Sequence, residues 1–178
     1  MPHNSASPEI QSISAADPDA VSASFREVLA HFCSGVVIVT SSDAAAAPVG
    51  MTVGSFTSIS LDPPLVGFYA GRSSTTLPHI AADGRFCANV LAEDQHDLAR
   101  AFAASRTEKF AGVGWTPGPG GAPRLTGAHA WIDCTITMRR PIGDHDLLVG
   151  QVEALAVAGD SDPLVFHRSI FRRLGDHS

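Results

Sequence analysis

Residues 50–69 read GMTVGSFTSISLDPPLVGFY, and no other stretch of this chain narrows its fold as much. It opens with strand-like alternation and crowds five hydroxyls into Thr52, Ser55, Thr57, Ser58 and Ser60. It then stops at Asp62, Pro63 and Pro64, because proline lacks the N–H that a ladder needs. A wholly apolar strand, 65–69, follows at once. A buried hydroxyl needs a partner, and an exposed strand usually carries longer charged groups. Gly50 and Gly54 allow another molecule to approach the backbone. Such a strand can be a polar ledge for a flat, phosphate-bearing ligand, or its hydroxyls can bond to neighbouring backbone.

The remaining pattern is built around this stretch. With 178 residues the chain fits one domain with a sizeable core. Residues 1–20, rich in Ser, Ala, Pro and Asp without periodicity, are expected to be a flexible tail, leaving 21–178 as the domain. Val21, Phe25, Val28, Leu29 and Phe32 recur at helical spacing, with Ser22 or Ser24 as cap and Gly35 as stop. One face of that helix is expected to pack on a core. A buried-type strand, 36–40, and a small-residue turn, 41–48, lead into the organising stretch.

Beyond it, 70–76 turns into a short helix with Pro78 in its first turn and Gly84 at its end. A strand over 86–91 precedes a helix capped by Asp94, with Leu98, Ala99, Phe102 and Ala103 inward. Residues 108–126, rich in Gly and Pro, are expected to form a long loop, either functional or wrapped over the surface by Phe110 and Trp115. Strand pattern returns over 129–139 and 147–158, joined by 140–146, and 163–174 closes as a strand end and an aromatic turn. At least six strands with hairpin spacing and no βαβ repeat predict a mainly β, antiparallel barrel with peripheral short helices.

Composition removes several function classes. A net charge of −6 without a basic run disfavours nucleic acid. Cys33, Cys87 and Cys134 include no CxxC, and buried thiols are expected rather than a disulfide framework or zinc ribbon. The eight histidines show neither HxH nor HExxH spacing, so no metal site is expected. With no membrane-length apolar run and no signal-like N-terminus, a cytoplasmic protein is expected. GxGxxG, GxxxxGK[ST] and GxSxG are absent.

Three features remain: the hydroxyl strand, the turn Ser73-Ser74-Thr75-Thr76 beside Arg72, and the turn Gly143-Asp144-His145. Ser/Thr residues before a helix can cap it or help to hold a phosphate. A turn histidine can be a solvated polar residue or a catalytic group. The segments GVVIVT, GMTVGSFTSISLDPPL, RFCANVLAEDQHDLARAF, KFAGVGW and GDHDLLVGQV together resemble the flavin reductase family with the FMN-binding split-barrel fold. Its members include reductase components of two-component flavin-dependent monooxygenases, in antibiotic biosynthesis and aromatic catabolism. The resemblance runs from about Phe25 to Leu174; Gly54 stands where the family more often has Ser, Asn or Thr.

The resemblance implies a split barrel, usually a homodimer, that reduces FAD or FMN with NADH or NADPH. Gly50, Met51, Thr52, Val53, Ser55 and Phe56 would line the flavin ring and ribityl chain. Ser73, Ser74 and Thr76, with Arg72, would meet its phosphate, and Asn89 would lie beside it. Asp144 and His145 in the GDH turn, and Phe171, would receive the nicotinamide, with His145 as the catalytic side chain. Only Arg139 and Arg140 flank that turn in sequence, and a 2′-phosphate wants a positive partner, so NADH is expected over NADPH. Reduced flavin would diffuse to a separate monooxygenase. A tight-binding flavoprotein carrier and a non-enzymatic ligand-binding barrel are the alternatives.

Overall fold

Short turns between apolar strands dictate an antiparallel chain path. The computed structural model describes residues 14, 16–105 and 108–174. In chain order the elements are α1 (Pro18–Leu29), β1 (Ser34–Gly35), β2 (Val37–Ser42), β3 (Pro48–Val53), β4 (Thr57–Leu61) and β5 (Pro64–Gly71). Then come α2 (Leu77–Asp83), β6 (Arg85–Val90), α3 (His96–Ala103), β7 (Trp115–Pro117) and β8 (Pro123–Leu125). The chain ends with β9 (Ala130–Ile142), β10 (His145–Val157), β11 (Val165–His167) and β12 (Ile170–Arg172). Seven strands form one antiparallel sheet in the order β3-β2-β6-β9-β10-β5-β4.

The sheet curls around a core of Val37, Val39, Val53, Phe68, Phe86, Ala88 and Leu148, with Leu77 and Ile80 of α2 packed into it. Phe68 and Phe86 meet edge to face at 5.3 Å. No backbone ladder joins β3 to β4, so the barrel stays split on that side. The Ser55 hydroxyl spans the neighbouring gap, accepting from Tyr69 N (3.0 Å) and lying 3.1 Å from Tyr69 O. Period-2 alternation sends Val36 and Ile38 to the outer face, where they form a second core with Leu91, Ala99, Phe102, Leu125 and Leu164.

Several expectations change here. The first helix starts at Pro18, because Asp17 caps it by accepting from Ala20 N at 3.0 Å, in place of Ser22 or Ser24. Its apolar stripe does not reach a core of this chain: Phe25, Val28, Leu29 and Phe32 are 57%, 60%, 48% and 74% exposed. Cys33, at the end of that uncovered segment, is exposed as well. Residues 1–13 and 15 of the expected tail lie outside the described residues. Helix α3 is entered through Gln95 rather than Asp94, and Ala103 is exposed.

The expected loop over 108–126 contains the β7–β8 hairpin, pinned to the sheet by Asn89, which accepts from Leu125 N at 2.7 Å. The connection expected over 140–146 shrinks to two residues, Gly143 and Asp144, with Gly143 at φ 60. Such a positive φ suits the tight hairpins that match strand twist. Cys87 and Cys134 are buried at the centre of the sheet. Burial and the neighbouring Asp133 carboxylate push both thiols up, Cys134 to about 12 and Cys87 further.

Candidate active site

The chemistry-bearing motifs converge on the split side. A cleft of about 200 Å³ is lined by Met51 and Thr52 of β3, Gly71, the turn 73–76, Phe102–Ser105 and Lys109. It adjoins a cavity of about 430 Å³ that shares Thr75, Thr76, Ser105 and Lys109 and extends to Asp43, Val49 and His79. A larger cavity of about 500 Å³, lined by Arg85, Asp133 and Glu153, contains none of the three features singled out in the sequence.

Beta strand β3 makes one wall with almost no protruding side chain. A Cβ on Gly50 would lie 2.7 Å from the Phe102 ring, so only glycine lets α3 approach this closely. Thr52 donates to Ala99 O at 2.7 Å, tying the same strand to the same helix. Thr76 Oγ1 and Lys109 Nζ both reach Gly50 O, at 3.4 and 3.1 Å, and Lys109 also donates to Phe102 O at 2.9 Å. Ser74 Oγ accepts from Thr76 N and Leu77 N at 3.2 and 3.3 Å and sits 3.7 Å from Met51 Sδ. Each of these groups holds another in place.

The β9–β10 turn forms a second wall just beyond Gly71 and Ser73, which themselves line the cleft. His145 pairs with Gly71 across β5, and a Cβ on Gly71 would lie 3.8 Å from His145 Nε2 and 3.9 Å from Ser73 Oγ. His145 therefore stands beside the cleft, next to its lining residue Gly71. Its Nδ1 lies 2.7 Å from Asp144 Oδ1, a contact in which the ring N–H donates. That hydrogen bond holds the exposed Asp144 carboxyl below its ordinary value. Arg72 belongs to this wall rather than to the Ser/Thr turn: its N donates to Asp144 O at 3.0 Å, and Nη1 lies 3.5 Å from Gly143 O.

Four of the sequence-expected residues sit elsewhere. Val53 is 5% exposed within the first core, and Phe56 packs against that core. Asn89 is wholly buried on the outer face, its amide nitrogen 3.0 Å from both Ile38 O and Thr40 Oγ1. With its oxygen accepting from Leu125 N, it fixes β8, and the whole residue is sealed from solvent. Phe171 packs on the second core, 5.2 Å from Phe166 and beneath Arg100 at 5.6 Å. Sequence reasoning missed Lys109 and Asp146. Lys109 carried a signal, being the one lysine in the chain. Asp146, discussed below, looks in sequence like any strand-edge carboxylate. Among the described residues no group of three or more His, Cys, Asp or Glu side chains is placed to hold a metal ion.

A curled antiparallel sheet split along one side, with a backbone-lined cleft facing a histidine turn, defines the protein's class. Residues 29–175 match the family model described as flavin reductase like domain, and the chain belongs to that family. It is 42% identical over 144 residues to a flavin reductase of Pseudomonas putida, covering 81% of this chain and 85% of the relative. It is also 42% identical to HsaB, the reductase subunit of a flavin-dependent monooxygenase from Rhodococcus jostii, covering 81% and 73%. Among solved structures, an NADH:FAD oxidoreductase of Streptomyces globisporus, SgcE6, in complex with NAD and FAD fragments superposes with a TM-score of 0.84 at 33% identity, covering 91% and 97%.

Proposed function

We propose that this protein is a flavin reductase that accepts hydride from NADH, passes it to exchangeable FAD or FMN, and supplies reduced flavin to a separate monooxygenase. The observation that carries the reading is the cleft between β3, the turn 73–76 and the end of α3, with His145 beside its lining residue Gly71. Together with the adjoining cavity it falls in the size range of small-molecule sites, roughly 300–1,000 Å³. The short side chains of Thr52, Ser73, Ser74 and Thr76 leave room for a flat ring and its phosphate-bearing chain, so the residues fit a flavin.

Flavin and nicotinamide carry the hydride transfer themselves. The chain's task is to hold the two rings about 3–3.5 Å apart and exclude water. Met51, the backbone of 50–52 and the turn 73–76 would hold the flavin, while His145 would orient the nicotinamide. The named contacts are hydroxyls and backbone without a covalent anchor, which suits exchange. The exposed stripe of α1 and the exposed Leu155 and Val157 suit a homodimer that covers apolar surface. No helix of the described residues is long and apolar enough to cross a membrane, and we place the reaction in the cytoplasm.

The test is anaerobic dialysis with the protein and NADH on one side and a reduced-flavin-dependent oxygenase on the other. Flavin should bleach on both sides, and turnover should follow admission of air. Bleaching confined to the protein's side would identify a carrier that keeps its flavin.

A further inference from the structure

Asp146, directly after His145, is 2% exposed and yet surrounded by charge. Its Oδ2 accepts from Arg139 Nε at 2.6 Å and lies 2.6 Å from Arg139 Nη2. Its Oδ1 lies 3.8 Å from Arg72 Nε and makes no hydrogen bond. A buried carboxylate oxygen without a hydrogen bond is costly, so stability alone is a poor reason for this residue. The two arginine side chains stay open to solvent, Arg72 at 59% and Arg139 at 47%. The sequence places Arg139 and Arg140 near the turn, and the fold adds Arg72 from the turn that follows β5.

Two guanidiniums, Arg72 and Arg139, beside a dinucleotide-receiving turn would ordinarily attract a 2′-phosphate, which arginine forks bind in bidentate fashion. Asp146 opposes that in two ways. It occupies the Nε–Nη2 edge of Arg139, the edge a phosphate would use. It also reduces the formal charge of the Arg72–Arg139 pair from +2 to +1. We propose that Asp146 is a specificity-determining residue that turns this site away from the phosphorylated nicotinamide dinucleotide, NADPH, and toward NADH. This rests on the reading that the turn 143–145 receives the nicotinamide cofactor.

The experiment is steady-state flavin reduction with NADH and NADPH by the wild type, Asp146→Asn, Asp146→Thr, Asp146→Asn/Arg139→Gln and His145→Ala, with melting curves for each. Asn keeps the shape and an acceptor; Thr is smaller and strand-forming, in case Asn does not fold. Either Asp146 variant should raise the NADPH:NADH ratio of kcat/KM about tenfold, and added salt should erode the gain. Adding Arg139→Gln should return the ratio toward wild type. Simple destabilisation lowers both activities without moving their ratio. A ratio within twofold of wild type in a folded Asp146 variant overturns the inference. If His145→Ala nevertheless raises KM for NADH, only the role of Asp146 is lost. If His145→Ala leaves that KM unchanged, the turn does not receive the cofactor and the functional reading falls first.

Discussion

On the β3 wall of the cleft and its adjoining cavity, Gly50, Met51 and Thr52 offer backbone and short side chains clamped by α3, whereas the β9–β10 wall beyond Gly71 gathers Arg72, Arg139, Asp144, His145 and Asp146 around one turn. The first wall is shaped by contact and the second by charge. A flat ring can be held by a surface that merely fits it. A second substrate that must come, react and leave is better served by groups that titrate, pair and discriminate. The difference also explains the hydroxyl-rich strand: Thr52 and Ser55 bond to the backbone of Ala99 and Tyr69, so both hydroxyls help build the wall.

Gly50→Val should have the largest effect on this contrast, because its new Cβ lies 2.7 Å from Phe102 and 3.2 Å from Val39 O. Overpacking of this kind costs about 1–3 kcal/mol. At roughly 2–4 °C per kcal/mol for a chain of this size, melting should fall by several degrees. Flavin-dependent NADH oxidation should fall with it. A variant that melts with the wild type would mean that the β3 wall is not tight.

His145→Ala should do the reverse, lowering kcat/KM for NADH about tenfold with little change in melting temperature. A large loss of flavin binding in that variant would merge the two walls into one. Thr52→Val removes a single bond to Ala99 O and should cost about 0.5–1.5 kcal/mol of stability with a small change in flavin KM. If the flavin KM rises sharply instead, the Thr52 hydroxyl faces the ligand after all.

The acid side of the comparison is smaller. Because His145 holds the Asp144 carboxyl below its ordinary value, their contact should persist through the usual carboxylate range. It should be lost only as pH falls through the lowered value. A carboxyl titration followed by NMR should move back up in His145→Ala. Between the walls, Cys87 and Cys134 should resist alkylation in the native protein while exposed Cys33 reacts. Stability from the buried neutral thiols is fully present below their ordinary value of 9.0 and should fade as pH rises toward about 12. Labelling of all three thiols at neutral pH would show that the sheet opens between the walls.

Much of this was legible in the sequence. Proline stops, glycine ends and apolar alternation gave the antiparallel barrel, helix α2 with Gly84 at φ 74, and the GDH turn. Illegible were features that depend on which distant residue arrives. The apolar stripe of α1 reads as a core face, yet none of the described residues covers it. Asn89 resembles a ligand contact until β8, from a stretch that reads as loop, claims its oxygen. Asp146 becomes notable only when Arg72, from the far side of the β5–β10 pairing, reaches it.

That β5–β10 pairing has a further consequence. The β4–β5 and β9–β10 hairpins each close through two residues, so their loop-closure cost is small. The pairing of Gly71 with His145 instead joins points far apart along the chain, and the cleft exists only once it forms. A molecule under mild denaturant can therefore keep much of its local strand structure after its site has come apart. Catalysis should fade at lower urea than the far-ultraviolet signal of its strands, making activity the more sensitive gauge of this protein's integrity.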